Sequence, residues 1–321
     1  RMGYLNKSIT VSQTDIIDAL LITDVSGSMR WRMDRNNNNG VQRTCDDADL
    51  YDQDTERLSI AKCADKEFLS GVLAQENSHE EPNRVALISY ENSVEEEKVR
   101  EFTTDEEYLN TTINGYEANG GTCICCALER ARTLLANDPQ HHPDDPDVTR
   151  LVVVMSDGVA NGGCGYSGIG DLNGNGNADD DGDDAIYAAC RLAAEQGASI
   201  YAVGFGDPAR VDENTLSAIA ACDDADNYEL AREGADLSTI YENIINEVQA
   251  QATYEEQVIT LAQDARSTLY GDSHITYSYK EDEQEQLQGK LLINGELPLF
   301  TQSITPLEQR VLQGLEAHWT F

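Results

Sequence analysis

Four short runs of apolar, largely β-branched residues stand out along the chain: Ile16 to Thr23, Arg84 to Ser89, Arg150 to Ser156 and Ser199 to Val203. Their apolar character is nearly continuous rather than alternating, which predicts strands covered on both faces. Between and after them, apolar residues recur at helical spacing: Leu58, Ala61, Ala64, Phe68 and Val72, then Ile186, Ala189, Cys190, Ala193 and Ala194, then Leu237, Ile240, Tyr241, Ile244 and Val248. Strands alternating with helices predict an α/β fold, a doubly wound and mostly parallel sheet.

The texture changes after Gln251. Ile275, Tyr277 and Tyr279 alternate with polar residues across Ser273 to Tyr279, and Lys290 to Asn294 and Leu297 to Gln302 read as further strands. Ser8 to Ser12 alternates too, with Ile9 and Val11 on one face and no helix of its own to pack against, so it is expected to join those C-terminal strands. The expected plan is an α/β domain over residues 15–252 inserted into a smaller β-sandwich-like domain built from residues 1–14 and 253–321.

Charge narrows the partners. Lys and Arg total 22 against 59 for Asp and Glu, a formal net charge of −37 in 321 residues. Such a field repels nucleic acid and anionic lipid surfaces and attracts cations. Adaptation to concentrated salt, with carboxylates simply holding hydration, gives the same balance. No apolar stretch is long enough to span a bilayer, and Arg1 is not an initiator Met, in keeping with a leader or anchor already removed.

The cysteines speak for the compartment. There are eight, Cys45, Cys63, Cys123, Cys125, Cys126, Cys164, Cys190 and Cys222, an even number that reads as disulfides in an oxidising environment, with about 105 pairings open. The rival reading is zinc, for which Cys123, Cys125 and Cys126 form the only cluster, without the usual Cys-x-x-Cys pairs.

Candidate chemistry begins where the first strand ends. Ile16 to Thr23 runs directly into Asp24-Val-Ser26-Gly-Ser28, so a carboxylate and two hydroxyls emerge at the carboxyl end of a buried strand, where open α/β sheets bind ligands. Gly120-Gly121-Thr122 precedes a helical segment, and Val152-Val-Val-Met-Ser156-Asp157-Gly158 repeats the arrangement of an apolar strand followed by an acid and a glycine. Together these residues resemble the metal-ion-dependent adhesion site of von Willebrand factor type A domains, over about Asp15 to Gln251. The resemblance implies that Ser26, Ser28 and Thr122 offer hydroxyl oxygens to a metal while Asp24 and Asp157 neutralise it directly or through water. An all-oxygen set suits Mg²⁺ and also admits Mn²⁺ or Ca²⁺. Neutral hydroxyls leave the ion short of negative charge, so a partner's carboxylate can complete its shell.

A second cation site is expected in the loop Gly162 to Asp184. Asp171, Asn173, Asn175, Asn177 and Asp179 place oxygen side chains at alternate positions with Gly176 sixth, as calcium loops of the EF-hand type do. The twelfth position is Gly182 rather than Glu, so Asp180, Asp181, Asp183 or Asp184 would have to close the shell, with the choice among them open; Asp183 is counted among the candidate ligands. The other long loop, Arg30 to Thr55, separates Ser28 from the next helix, and Cys45 within it is a candidate to bond Cys63 there; it is the candidate specificity loop. Its acids Asp46, Asp47, Asp49, Asp52 and Asp54 fit no metal template. His141 and His142 are adjacent, would point apart, and read as surface histidines. Asn6 and Asn110 head glycosylation acceptor patterns.

No nucleophile with an adjacent base, phosphate-cradling Gly-Lys-Ser/Thr or helix-borne His pair is present, which argues against an enzyme. The expected function is extracellular or cell-surface adhesion, with a protein, glycan or matrix partner presenting a carboxylate to the metal. The alternative is a pilus-like filament or its tip, assembled by strand exchange of the N-terminal segment into a neighbouring copy. A role beside an intracellular ATP-driven chelatase is disfavoured by the cysteines.

Overall fold

The computed structural model describes residues 3–13 and 15–250, apart from 35–36, 78, 80, 143–144, 224 and 226, and the strand segments 253–263, 273–278, 288–293 and 316–319. In chain order the elements are β1 (Gly3–Gln13), β2 (Ile16–Asp24), α1 (Arg57–Ala74), β3 (Arg84–Tyr90), β4 (Arg100–Thr103), α2 (Glu106–Asn114), α3 (Ile124–Ala136), β5 (Val148–Ser156), α4 (Asp181–Gln196), β6 (Ala198–Phe205), α5 (Glu213–Ala220), β7 (Tyr228–Ala231), α6 (Gly234–Ala250), β8 (Thr253–Gln263), β9 (Ser273–Ser278), β10 (Gln288–Ile293) and β11 (Glu316–Trp319).

Six strands form one sheet in the order β4-β3-β2-β5-β6-β7. All neighbours are parallel except β3 and β4, whose antiparallel pairing is irregular between Val85 and Leu87. This is the α/β class that the apolar runs and helical periods imply. Every residue of β2 is buried, because successive side chains feed opposite faces. Ile17, Ala19 and Leu21 join the core beneath α1 and α6, where Phe68 and Tyr241 meet edge to face at 5.3 Å. Leu20 and Ile22 join the core beneath α3, α4 and α5. Each of the fully buried Leu20, Leu21 and Ile22 side chains is worth about 1.5–3 kcal/mol in area removed from water. The edge strands β4 and β7, four residues each, and the short helices α2 and α5 have no counterpart in the apolar runs, since they are only partly covered.

The chain divides into two units, one of residues 14–251 and one of residues 1–13 and 252–321. In the second, β1 pairs with β8 antiparallel from Gly3 opposite Gln263 to Gln13 opposite Thr253, and β9 lies between β10 and β11 in an antiparallel sheet. The expected strand Leu297 to Gln302 lies outside the described residues.

Four disulfides brace the α/β unit: Cys45–Cys63, Cys123–Cys126, Cys125–Cys164 and Cys190–Cys222, with no cysteine left free. The first ties the Arg30 to Thr55 segment to α1. That segment is less loop-like than its composition suggests, since Met33 and Leu50 are buried in the core. The third ties the start of α3 to the Gly162 to Asp184 segment. The sulfurs of Cys123, Cys125, Cys126 and Cys164 do cluster closely, but both pairs are consumed in disulfide bonds, which replaces the zinc alternative.

Candidate metal centre

β2 and β5 are adjacent and parallel, and the chain leaves them for opposite sides of the sheet: β2 is followed by β3, β5 by β6. Their carboxyl ends therefore flank the topological switch point, where an open sheet has a crevice. Asp24 closes β2 and Asp157 directly follows β5. Asp24 Oδ1 accepts the Ser26 amide at 2.7 Å, and Oδ2 accepts the Ser156 hydroxyl at 2.7 Å. The Ser26 and Ser28 hydroxyls lie 2.9 Å apart, and Ser28 Oγ donates to Asp157 Oδ1 at 2.6 Å. Asp24, Ser26, Ser28 and Asp157 are thus joined by direct hydrogen bonds.

Thr122 arrives on a third loop, fastened to the first through backbone. The Gly27 amide donates to the Gly120 carbonyl at 3.1 Å and the Asn119 amide to the Val25 carbonyl at 2.7 Å. Thr122 itself is clasped by Asn161, whose Oδ1 accepts the Thr122 amide at 2.7 Å while the Asn161 amide donates to the Thr122 carbonyl at 3.0 Å. Gly120 has a φ of 64°, and a Cβ there would run into the Glu91 carboxylate, so the turn that delivers Thr122 requires glycine.

Two buried carboxylates share this site. Burial pushes the Asp24 carboxyl up to about 7, with the charge of Asp157 adding to the effect. Burial likewise raises Asp157, opposed chiefly by the positive charge of Arg57. Arg57, the first residue of α1, places Nη1 2.8 Å from Asp157 Oδ2, with both side chains at 0% exposure. Its guanidinium also lies over the Trp31 ring at 5.7 Å. An all-oxygen set of two buried acids and hydroxyls, in which ionisation is costly, is chemistry a divalent cation would satisfy. The donor set fits the group.

Sequence reasoning reached neither Arg57, Ser156 nor Asn161. No local pattern announces a pairing between residues 57 and 157. Ser156 was visible beside Asp157, but its hydrogen bond depends on β2 and β5 being neighbours.

The second candidate, in the Gly162 to Asp184 segment, is organised by its own acids. α4 already begins at Asp181, with Asp180 and Asp183 forming a reciprocal capping box. Asp171 accepts the amides of Asn175 and Gly176, and Asp183, fully buried, accepts those of Leu172 at 2.6 Å and Asn173 at 3.1 Å. Asn175 Nδ2 donates to Asp180 at 2.6 Å. Asp179 turns instead to the amides of Gly168, Ile169 and Gly170, which hold its carboxyl below the usual range, and Asn177 is exposed. The structure therefore groups Asp171, Asn173, Asn175, Asp180 and Asp183 and sends Asp179 elsewhere. Among the described residues, no three of the loop's carboxylates lie close enough together to share an ion.

A cleft of about 460 Å³ is walled by Gln42 to Thr44 of the candidate specificity loop, by Ser59 and Lys62 of α1, and by Tyr116 to Ala118; Arg30, two residues after Ser28, lines it too. His141 is a correction. It is not a surface residue but 4% exposed, with Nδ1 2.5 Å from Asp18 Oδ2. Asp18, buried near the start of β2, needs compensation there and takes it from Arg84 at 2.7 Å and from His141, while Arg84 also binds Asp138 at 2.5 Å. His142 is exposed, as adjacency on an extended segment requires. Asn6 lies in β1 and Asn110 in α2, the latter with its Oδ1 buried.

Residues 19–159 match the von Willebrand factor type A domain family. Solved structures extend the likeness in fold. The chain is similar to the von Willebrand factor domain of the type V pili tip protein Mfa5 from Porphyromonas gingivalis, at 18% identity and TM-score 0.50, over 76% of this chain and 98% of that one. It is similar to the PilB minor pilin from Streptococcus sanguinis, at 15% identity and TM-score 0.54, over 75% of this chain and 63% of that one. It is also similar to the pilus adhesin SpaC from Lactobacillus rhamnosus GG, at 15% identity and TM-score 0.51, over 94% of this chain and 38% of that one. No curated protein matches the chain. Among the described residues, no helix is long and apolar enough to cross a membrane.

Proposed function

We propose that this protein is an extracellular or cell-surface adhesin that binds an acidic group of a protein, glycan or matrix partner through a divalent metal at Asp24, Ser26, Ser28, Thr122 and Asp157. The observation that carries the reading is the direct hydrogen-bonded assembly of Asp24, Ser26, Ser28 and Asp157 at the switch point of the sheet. A bound Mg²⁺, or Mn²⁺ or Ca²⁺ in its place, would supply an electrophilic position for a partner's carboxylate. The protein's own residues orient that position. Ser156 and the Ser26 amide fix the Asp24 carboxylate, Ser28 aims at Asp157, and Asn161 sets the Thr122 loop. The work is binding, not catalysis. The cleft beside Arg30 would give the partner its specificity, and the Asp171 to Asp183 segment would hold calcium that keeps the neighbouring loop in place.

The test uses acetate as the carboxylate probe. In Mn²⁺-loaded protein, the methyl protons of acetate should relax faster through the paramagnetic ion, and Asp24→Ala should remove the effect. Equal relaxation in both proteins would overturn the reading.

A second reading, a subunit of a pilus-like filament or its tip, draws on β1, an eleven-residue strand paired antiparallel with β8, a place that a strand of a neighbouring copy would take. Deleting residues 1–12 would abolish assembly under that reading and leave acetate relaxation unchanged under the first.

A further inference from the structure

Arg57 is the one guanidinium in direct contact with the proposed ligand set among the ion pairs of the described residues, and its position is built rather than incidental. It sits at the first turn of α1, its amide bonded to the Trp31 carbonyl at 3.0 Å and its guanidinium over the Trp31 ring. From the other side, Gly206 at the end of β6 lets the backbone approach so closely that a Cβ there would lie 3.1 Å from Arg57 Cζ. Asp157 Oδ2 is taken by Arg57 at 2.8 Å, while Oδ1 faces Ser28 at 2.6 Å. The two oxygens of one carboxylate are thereby divided, one to a permanent cation and one to the side where the metal would bind.

We infer that Arg57 is a built-in counter-charge of the metal centre, which lowers its affinity for a divalent ion and leaves a bound ion less neutralised toward a partner's carboxylate. This rests on the metal reading proposed above. The physical ground is that a buried charge must be paired. Without a metal, Arg57 keeps Asp157 compensated and the site folded; with one, two cations compete for the same acid. The fold thus tolerates an exchangeable ion at the cost of tight binding.

The experiment is isothermal titration with MgCl₂ at pH 8 of the native chain, Arg57→Gln, Arg57→Met, Arg57→Lys and Asp24→Ala, with melting temperatures recorded in EDTA and in MgCl₂. Removing a unit positive charge close to a divalent ion should tighten Mg²⁺ binding by about tenfold or more in Arg57→Gln and Arg57→Met, even at the screened dielectric of a protein. It should also enlarge their rise in melting temperature on adding Mg²⁺, whereas Arg57→Lys, which keeps the charge, should stay within about threefold of native. If the neutral variants unfold in EDTA, Mg²⁺ should restore them, and its failure to do so would overturn the inference. Unchanged or weaker Mg²⁺ binding in folded neutral variants would overturn it as well, leaving the metal site intact. Absence of any Mg²⁺ uptake by the native chain that Asp24→Ala abolishes would instead overturn the metal reading itself.

Discussion

Replacing Asp65 with Asn isolates one buried acid that the metal centre does not use. Asp65 lies on α1 at 0% exposure, accepting the Thr23 hydroxyl at 2.8 Å and facing the Tyr241 hydroxyl of α6 at 3.5 Å. Burial pushes its carboxyl up from 3.8 to about 7, against the opposing effects of Thr23, Tyr241 and Lys66. The folded pKa lies above the unfolded one, so no penalty exists below about pH 4, where both states are protonated. As pH rises toward 7 the unfolded chain ionises and the folded one does not, and stability falls by about 1.4 kcal/mol per pH unit. The full loss is about 4 kcal/mol, complete above pH 7. Asparagine keeps an acceptor for Thr23 and cannot ionise. Urea unfolding in EDTA at pH 5, 6, 7 and 8 should show the Asp65→Asn chain gaining about 3 kcal/mol on the native one between pH 5 and pH 8. Parallel stability curves for the two proteins would refute the reasoning, because Asp65 would then ionise alike in both states.

Two further outcomes are expected. Calcium should raise the melting temperature of the native chain through the Asp171 segment, an effect lost in Asp171→Ala, and a native protein indifferent to calcium would contradict the assignment. Arg84→Met should cost about 3–5 kcal/mol in urea unfolding by stranding Asp18 and Asp138, and adding Asp18→Leu should recover part of it; no loss in the single variant would mean that His141 alone compensates Asp18.

The legible part of this molecule was the part written in continuous runs. β2, β3, β5 and β6 are central parallel strands buried on both faces, so each shows as an unbroken apolar stretch, and Asp24, Ser26, Ser28 and Asp157 could be read because they follow such stretches directly. β4 and β7 were not legible, being four-residue edges with half-covered side chains. Arg57 was hidden for a different reason: a charged residue opening a helix looks like a surface residue, and only the adjacency of the start of α1 to the end of β5 buries it against Asp157. His141 was misplaced for the same reason, since the compensation that Asp18 needs comes from a loop more than a hundred residues away. Alternation in the Asp171 segment was visible, but which carboxylates converge was set by where α4 starts, and that places Asp183 inward and turns Asp179 toward the amides of Gly168 to Gly170.

The most direct test of the central claim is a Mg²⁺ titration of the metal-stripped chain carrying Asp171→Ala, so that the calcium segment does not contribute, compared with the same chain also carrying Asp24→Ala. The account predicts one saturable site per chain in the first protein and none in the second, with both folded by circular dichroism. Equal uptake in the two, or none in either, would contradict it.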